Sequence, residues 1–406
     1  MNMRILVLDT VHGCRAVVSG YLKMGNEVTA VDVYHVTPES EHEELRRLGA
    51  RVLDEAPAEH FDLVVMPCHC PDRFIGDASY DRRIWYSEAV RDLVDDDRFR
   101  IEITGVKGKT STCYVLAHII SEAGRKVLLH TSRGYGPYIS GKHEIVGTMS
   151  IAPPSILTLP EGDYDAVICE VSLGGSGRAD IACITNLVED YGIAKNERRA
   201  REGKKDILTD DGINIVKESE KELWSVYGKP LRTYGRRVVA SEEPRFGEPL
   251  PVSVEYDGTS VIELGGGYLA FQYLEAMDAA LEICAAMGIP REAVLSGLST
   301  FRGVPGRGQI SIEDGVRHLR DRNPGISHMS VEWTLSCLKR MDALDRAVLI
   351  VDPVSRKVCD KLDKDAIRAV ADRYGVPLIV TPGNGEPAEI PEGTGTVIEM
   401  VKEGYQ

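Results

Sequence analysis

The sequence contains no apolar run long enough for a membrane-spanning helix, and no signal-peptide pattern precedes its first predicted strand. A helix that crosses a bilayer needs about 20 consecutive apolar residues, so these absences predict a cytoplasmic protein without a membrane partner. Positive charge is also scarce, because 48 Lys and Arg residues face 63 Asp and Glu residues and the formal net charge is −15. Nucleic-acid-binding proteins usually carry the opposite balance, and no nucleic-acid partner is therefore expected.

Cysteine pairs with the spacing of a zinc finger are absent as well. The nine cysteines are scattered, many of them in apolar stretches, where a reduced thiol behaves as a small hydrophobic side chain. The one cluster is Cys68-His69-Cys70, which has no second ligand pair at zinc-finger spacing. Two interpretations of this cluster remain open: a metal site, and an ordinary loop at the end of a strand.

A glycine-rich loop is the most informative feature that the sequence does contain. It lies between an apolar segment that ends at Ile103 and a stretch, residues 113–123, with helical apolar spacing, and it reads Thr104, Gly105, Val106, Lys107, Gly108, Lys109, Thr110, Ser111. Strand, glycine loop and helix in this order are typical of a phosphate loop. Its glycines would let the backbone approach the phosphates, Lys109 would lie against the β and γ oxygens, and Thr110 would ligate Mg²⁺. We therefore predict that all eight residues bind a nucleotide, with ATP and Mg²⁺ as the cofactors.

Two further polar groups are expected near this loop. One apolar stretch, residues 164–172, presents Glu170 near its end, and another, residues 182–187, closes on Thr185 and Asn186. Ligands gather at the carboxyl ends of the strands in doubly wound sheets, so we expect Glu170 and Asn186 to lie near the loop. A carboxylate there completes a magnesium site with Thr110, whereas the alternative for Glu170 is a solvated acid at a strand end.

The 406 residues predict two to three domains. Residues 1–95 repeat a βαβ pattern, but they carry Asp9-Thr10-Val11-His12-Gly13-Cys14 where a dinucleotide-binding fold has its glycines. We do not interpret this block as an NAD domain. Residues 96–303 begin with the phosphate loop, and residues 304–406 follow a turn-rich joint at 303–308 with strands and helices of a further α/β unit.

Several motifs occur in the order in which the Mur ligase superfamily carries them. Most of residues 99–325 are covered by the phosphate loop, Glu170-Val171-Ser172, Ile184-Thr185-Asn186, Gly203-Lys204-Lys205-Asp206, the helix entry at 267–276, Val304-Pro305-Gly306-Arg307 and Arg322-Asn323-Pro324. The chain thus resembles the Mur ligases, which activate a carboxylate with ATP as an acyl phosphate and join it to a nucleophile. The resemblance implies an α/β fold with a Rossmann-like N-terminal substrate domain, a central P-loop ATPase domain and a Rossmann-like C-terminal domain.

The resemblance also implies roles for individual residues. The implied catalytic residues are Lys109 on the phosphates, Lys204, and Arg307, which reaches the nucleotide from the last domain. The implied Mg²⁺ ligands are Thr110 and Glu170. The remaining positions that the resemblance assigns to the nucleotide are Asn186, Gln272 and Asp321, the last of these at the ribose.

Lys204 matches a lysine that several of these ligases carry as a carbamate, and the neighbouring Lys205 remains an alternative. Three positions depart from the usual pattern of the superfamily. Tyr191 stands where many relatives have a metal-binding His, Lys107 replaces a small polar residue, and Gln272 replaces an asparagine.

Within the superfamily, the chain is similar to ligases of methanogens that close a carbocyclic ring on a nickel tetrapyrrole. This similarity implies a small-molecule carboxylate substrate and a carbon nucleophile. The stretch 195–205 has six basic residues in eleven and is either a receiver for several substrate carboxylates or a solvated helix with i,i+4 pairs. Tyr135 and Tyr138 are either stacking partners of a flat macrocycle or packing residues.

Two other functions remain open. An amide-forming ligase of the same superfamily, acting on a murein, pseudomurein or folate-like acid, would share every ATP-binding residue. A nucleotide-dependent regulatory protein would need the phosphate loop but not Glu170, Arg307 and a candidate carbamate lysine, so these residues favour a ligase.

Overall fold

The computed structural model describes residues 2–353, 362–383 and 388–402 of the chain. Within these residues the strands form five sheets, which we name by position: the N-terminal sheet, the central sheet, a two-stranded ribbon, a three-stranded sheet and the C-terminal sheet. No helix in this part of the chain is long and apolar enough to cross a membrane.

The N-terminal sheet and its helices come from the first part of the chain. Their bounds are β1 (Arg4–Leu8), α1 (Cys14–Lys23), β2 (Glu27–Val31), α2 (Glu39–Leu48), β3 (Arg51–Leu53), β4 (His60–Met66), β5 (Ser79–Trp85) and α3 (Tyr86–Leu93). The strand order is β3-β2-β1-β4-β5, and every pairing is parallel. Because β1 and β4 are neighbours, the loops that follow these two strands leave the sheet side by side.

The central sheet is the largest and contains the phosphate loop. The elements of this part are β6 (Arg100–Thr104), α4 (Lys109–Glu122), β7 (Val127–Thr131), β8 (Gly134–Ile139), β9 (Lys142–His143), β10 (Ala166–Glu170), β11 (Ile181–Ile184), β12 (Gly192–Ile193), β13 (Arg198–Arg199), α5 (Ala200–Lys204), β14 (Ile213–Lys217), α6 (Lys221–Ser225) and β15 (Leu231–Tyr234). Its order is β15-β14-β11-β6-β10-β7-β8-β9, whereas β12 and β13 pair as the separate ribbon. The strand β6 therefore lies between β10 and β11.

A three-stranded antiparallel sheet and two helices complete the central part. Their bounds are β16 (Val238–Ala240), β17 (Leu250–Glu255), β18 (Thr259–Leu264), α7 (Leu274–Ala286) and α8 (Arg291–Thr300). The helix α4 packs against the central sheet and against α7 and α8. It is consequently buried on nearly all sides, which explains why its sequence is apolar rather than amphipathic.

The C-terminal sheet is formed by the last strands of the described residues. Its elements are β19 (Gln309–Glu313), β20 (Val316–Arg322), α9 (His328–Arg340), β21 (Ala347–Asp352), α10 (Lys364–Tyr374), β22 (Leu378–Val380) and β23 (Thr396–Val401). In the order β19-β20-β23-β21-β22 only β19 and β20 pair antiparallel. The mixed α/β architecture with parallel sheets confirms the predicted fold class. The predicted boundaries at 95/96 and 303/304 fall in connections between elements, and the division at these positions stays a prediction.

Close packing of α8 against α4 yields a stability test. A Cβ atom added at Gly297 would lie 2.8 Å from the Cα atom of Ile119, a backbone atom that cannot move away freely. We expect Gly297→Val to lower the free energy of unfolding by about 1–3 kcal/mol, as overpacking does elsewhere, measured by urea denaturation. Glu292→Val places the same side chain on an exposed position of α8 and is the control. Equal stability of the two variants would contradict this packing.

Candidate active site

The phosphate loop leaves the carboxyl end of β6 and leads directly into α4. Gly105 has φ 142°, and a Cβ atom there would lie 2.0 Å from the hydroxyl oxygen of Thr185. Gly108, at φ 81°, precedes the first residue of α4 in the left-handed region. Both positions require glycine because of backbone conformation, and Gly105 also because of close approach. The N-terminus of α4 consequently points its free N–H groups into the loop.

The end of β11 holds the loop in place. The backbone N–H of Val106 donates to the carbonyl of Asn186 at 2.9 Å, and that of Lys107 donates to the Asn186 side-chain oxygen at 3.0 Å. The Thr185 hydroxyl donates to the carbonyl of Lys107 at 2.6 Å. Asn186 therefore lies beside the loop, as expected, but its amide supports the backbone and also donates to Glu275 at 2.8 Å.

Glu170, Thr110 and Ser132 form an oxygen cluster beside the loop. The Thr110 hydroxyl donates to Glu170 Oε2 at 2.7 Å, and the backbone N–H of Ser132 donates to the same oxygen at 3.0 Å. Glu170 is only 3% exposed, so its interpretation as a solvated acid is wrong. A carboxylate and a hydroxyl at the phosphate loop are the hard oxygen donors that Mg²⁺ prefers, and the pair fits the predicted metal.

Two lysines of the loop face the same space. The ammonium group of Lys109 donates to the carbonyl of Gly105 at 3.2 Å, and that of Lys107 lies 3.4 Å from the carbonyl of Gly325, beyond β20. Burial lowers the pKa of Lys109, and burial together with the Lys109 charge lowers the pKa of Lys107. An anion bound between them would relieve this repulsion.

Lys204 lies behind the loop rather than in it. Its ammonium group donates to the carbonyls of Gly105 at 2.9 Å and Ser172 at 2.7 Å, and the residue is 1% exposed. Burial, followed by the nearby Lys109 charge, lowers the pKa of Lys204 well below its usual value.

Its neighbours differ from it in position. The Lys204 ammonium lies over the ring of Tyr191, 6.0 Å from the ring centroid. Tyr191, which replaces the usual His, therefore packs over this lysine. Lys205 instead pairs with Asp206 at 2.7 Å. Of the two lysines, only Lys204 touches the phosphate loop in the hydrogen bonds of the described residues.

A cavity of about 520 Å³ collects most of the predicted site residues. From the predicted set, the wall contains Val106, Lys107, Gly108, Lys109, Thr110, Ser111, Glu170, Asn186, Gln272, Arg307 and Asp321. Gly105 and Lys204 contribute from behind the wall through the bonds above. Thr104 is fully buried and its hydroxyl donates to the carbonyl of Ser172 at 3.2 Å, so its side chain supports the strand end rather than lining the cavity.

The C-terminal part supplies one side of this cavity. The Tyr273 hydroxyl donates to the carbonyl of Arg307 at 3.2 Å, which ties the joint to the end of the central part. Asp321 accepts a bond from the Asn323 amide at 2.8 Å. Burial raises the pKa of Asp321, while the Arg307 charge acts in the opposite direction. The charges of Arg307 and Asp321 therefore interact at the wall of the cavity.

The wall also contains residues that the sequence did not predict, among them Ser132, Glu275 and Trp333. Glu275 links Asn186 to Lys217, whose ammonium group donates to it at 2.6 Å. Trp333 projects from α9 and is 49% exposed. The available signal was its position, because Trp333 lies off the helix face on which the apolar residues Val331, Leu335 and Leu338 recur.

The interpretation of the basic stretch 195–205 as a continuous solvated helix is wrong, because only Ala200–Lys204 is α-helical. Arg198 is 8% exposed and donates to the carbonyls of Cys68 and Cys70 at 3.1 and 3.0 Å. The basic side chains of the stretch therefore lie in different places. Arg198 is buried, Lys204 lies behind the phosphate loop, and Lys205 lines a second cavity of about 440 Å³.

The stacking interpretation of Tyr138 is also wrong. Tyr138 is 3% exposed, lies in the strand β8 rather than in a loop, and packs edge-on against Tyr114 and His118. Tyr135 lies in the same strand and pairs with His130 in the register of β7 and β8. Tyr138 is therefore a packing residue.

Known proteins resemble this chain in sequence and in fold. The chain is 28% identical to the coenzyme F(430) synthetase of Methanosarcina acetivorans over 92% of this chain and 88% of the relative. It is 23% identical to that of Methanocaldococcus jannaschii over 91% and 88%. The solved structure of the UDP-N-acetylmuramate-alanine ligase MurC from Thermotoga maritima matches 98% of this chain and 95% of its own, with 16% identity and a TM-score of 0.52. The chain has the Mur ligase fold.

The resemblance to the Mur ligases that the motifs predict is thereby confirmed, as is the similarity to coenzyme F430 synthetases. No protein-family model matches the chain. In this Mur ligase fold the phosphate loop lies in the central part, and the cavity lies between it and the C-terminal sheet.

The contact between Gly105 and Thr185 generates a binding test. We expect Gly105→Ala to displace the loop and to weaken ATP binding at least tenfold, or about 1.4 kcal/mol, measured by calorimetric titration. Gly124→Ala strains the opposite end of α4 at φ 76° with no atom within 4 Å, and it should leave the affinity unchanged. Retained affinity in Gly105→Ala would contradict the role of this contact.

Proposed function

We propose that the protein is an ATP-dependent ligase that activates a substrate carboxylate as an acyl phosphate. One observation carries the proposal: a phosphate loop, the oxygen pair of Thr110 and Glu170 and the C-terminal Arg307 line one cavity, and the buried Lys204 bonds to the loop from behind. A protein that only binds nucleotide or hydrolyses it slowly needs the loop but not this complete set.

The residues of the loop would bind and orient the triphosphate. Backbone N–H groups at the start of α4 face the phosphates, and the ammonium groups of Lys107 and Lys109 add positive charge. Arg307 would act from the opposite wall on the charge that develops during phosphoryl transfer. Mg²⁺, held by Thr110 and Glu170, would neutralise phosphate charge when bound.

The burial of Lys204 supports the carbamate that the resemblance implies. Because its pKa is lowered, more of the amine is neutral than in an exposed lysine. A neutral amine is the form that carbon dioxide converts to a carbamate. That modification would replace a buried cation with an anion, in agreement with the role implied by the resemblance, and it would change the charge next to Gly105.

More specifically, we propose that the substrate is the seco-precursor of coenzyme F430, a nickel tetrapyrrole. Its propionate carboxylate would attack the γ-phosphorus of ATP, with release of ADP. A carbon of the macrocycle would then attack the acyl carbon and lose a proton, and phosphate would leave as the carbocyclic ketone ring forms. The similarity to two coenzyme F(430) synthetases over 92% and 91% of this chain supports this substrate.

The second cavity supports a substrate with several carboxylates. It lies between β5, α3 and the segment after α5, and its wall includes Arg83, Arg91, Lys205 and Lys229 together with Trp85 and Tyr227. Three of these cations already pair with acids, Arg83 with Asp72, Lys205 with Asp206 and Lys229 with Asp210. Glu88 also lines this cavity. Guanidinium and ammonium groups beside aromatic rings are suited to a flat polycarboxylate.

Amide formation is the second candidate reaction. The fold match to a UDP-N-acetylmuramate-alanine ligase favours it, since that relative's name describes joining an amino acid. Such a ligase would use the same ATP residues with nitrogen in place of carbon as the nucleophile.

Product analysis separates the two reactions. We expect the protein, incubated with Mg-ATP and the seco-precursor, to release ADP together with a change in the absorption spectrum of the macrocycle. Lys109→Ala should lose both signals, whereas Lys126→Ala, which removes a surface lysine paired with Asp163, should keep both. ADP release that needs an amino acid and leaves the spectrum unchanged would replace the F430 proposal with the amide-forming alternative.

The assignment of Arg307 has its own test. We expect Arg307→Ala to lower kcat by about 100-fold, because a charge that stabilises the transferring phosphoryl group is lost, with a smaller effect on KM for ATP. Arg302→Ala removes a neighbouring guanidinium that contacts Ser299 and Phe301 outside the cavity, and it should retain full turnover. Unchanged turnover in Arg307→Ala would remove this residue from the mechanism.

A further inference from the structure

Three side chains that the ATP site does not use meet at the carboxyl edge of the N-terminal sheet. Asp9 and His12 lie in the loop between β1 and α1, and His69 lies in the loop after β4. Since β1 and β4 are neighbours in a parallel pairing, the sheet itself brings these loops together. Doubly wound folds bind ligands at this edge.

The three side chains place one donor atom each around a common point. His12 Nδ1 lies 2.6 Å from Asp9 Oδ2, His69 Nε2 lies 3.6 Å from the same oxygen, and the two ring nitrogens are 3.3 Å apart. Ligands held about 2.0–2.1 Å from a tetrahedral metal ion are spaced by about 3.3 Å. To accept an ion, the three atoms need only a small lengthening of the 2.6 Å distance between His12 Nδ1 and Asp9 Oδ2.

Asp9 is oriented as a ligand by its own surroundings. Its side chain is fully buried, its Oδ1 accepts the backbone N–H of Val11 at 2.8 Å, and its Oδ2 is therefore the oxygen that faces the rings. The Tyr86 hydroxyl, at 2.8 Å from the Asp9 carbonyl, fixes the backbone at the same residue. Supporting contacts of this kind are what hold metal ligands in a productive orientation.

The histidines provide access from outside. The side chains of His12 and His69 are 39% and 27% exposed, and their rings are nearly perpendicular, at 79° with centroids 4.4 Å apart. An ion can therefore enter from the side opposite the buried carboxylate.

The neighbouring cysteines do not complete this donor set. Cys68 and Cys70 are 5% and 0% exposed, and burial raises the pKa of each thiol to about 12. Both thiols pack in the interior and lie outside the cluster of donor atoms, so for the two cysteines the interpretation as an ordinary loop at the end of a strand holds. Only His69 of the cluster joins Asp9 and His12.

We propose that Asp9, His12 and His69 form a binding site for one divalent transition-metal ion, separate from the magnesium ligands Thr110 and Glu170. Two imidazoles and one carboxylate favour zinc, cobalt or nickel over magnesium or calcium. Three protein ligands leave a coordination position open to water or to a carboxylate group. The proposal does not depend on the ligase activity.

Cobalt titration tests the site directly. Protein stripped with a chelator is titrated with Co²⁺ without ATP and in excess Mg²⁺, which occupies oxygen-only sites, and the visible absorption of the cobalt ion is followed. We expect one equivalent to bind with the spectrum of a low-coordinate nitrogen and oxygen site. His12→Gln and His69→Gln should each weaken binding at least tenfold, and circular dichroism should show that both remain folded.

A second cluster in the same sheet is the matched control. His60, Asp62 and Asp81 also lie close enough to share an ion, but His60 and Asp81 are exposed and the cluster is at the start of β4. His60→Gln should leave cobalt binding unchanged. The proposal is overturned if one equivalent fails to bind, if both His12→Gln and His69→Gln bind normally, or if only His60→Gln loses the spectrum.

Discussion

The contact of the phosphate loop with the end of β11 is the constraint on which the site depends. The loop follows β6, and β11 is the neighbour of β6, so their carboxyl ends meet in the sheet. Gly105 permits a spacing that no larger residue tolerates beside Thr185. Because Lys109 and Thr110 begin α4 directly after the loop, their positions are set by this contact. The Lys204 ammonium, bonded to the Gly105 carbonyl, secures the same point from behind.

Around this fixed backbone the site gathers positive charge in a partly buried space. Lys107 and Lys109 each have a pKa lowered first by burial, and the Lys109 charge adds to the effect on Lys107. Such an arrangement costs stability in the free protein and favours a bound polyanion, because the ligand supplies the missing negative charge. Local conflict of this kind is expected at a functional site rather than in a core.

The N-terminal sheet is attached to the same structure through its carboxyl edge. Arg198 reaches from β13 to the carbonyls of Cys68 and Cys70, and thereby fixes the loop that carries His69. On the other loop, a Cβ atom at Gly13 would lie 2.8 Å from Pro154 of the central part. Both loops are therefore packed against the central part, so the carboxyl edge of the N-terminal sheet faces the part of the chain that contains the phosphate loop.

The local features of the site can be predicted from short stretches of the sequence. The glycine loop between a strand and a helix, and Glu170 at the end of a strand, each depend on residues that are close in the chain. The motif order was sufficient for the α/β Mur ligase fold, since conformational preferences and motif spacing are local properties.

Which distant side chains meet depends on the packing of remote segments. Lys204 and Lys205 are adjacent in sequence, yet on the backbone that continues from α5 into a 3₁₀ helix one side chain reaches Gly105 and the other Asp206. His12 and His69 are 57 residues apart and meet only because β1 pairs with β4. Strand order and the burial of individual side chains are set by packing between remote segments, and no local pattern in the sequence records that packing.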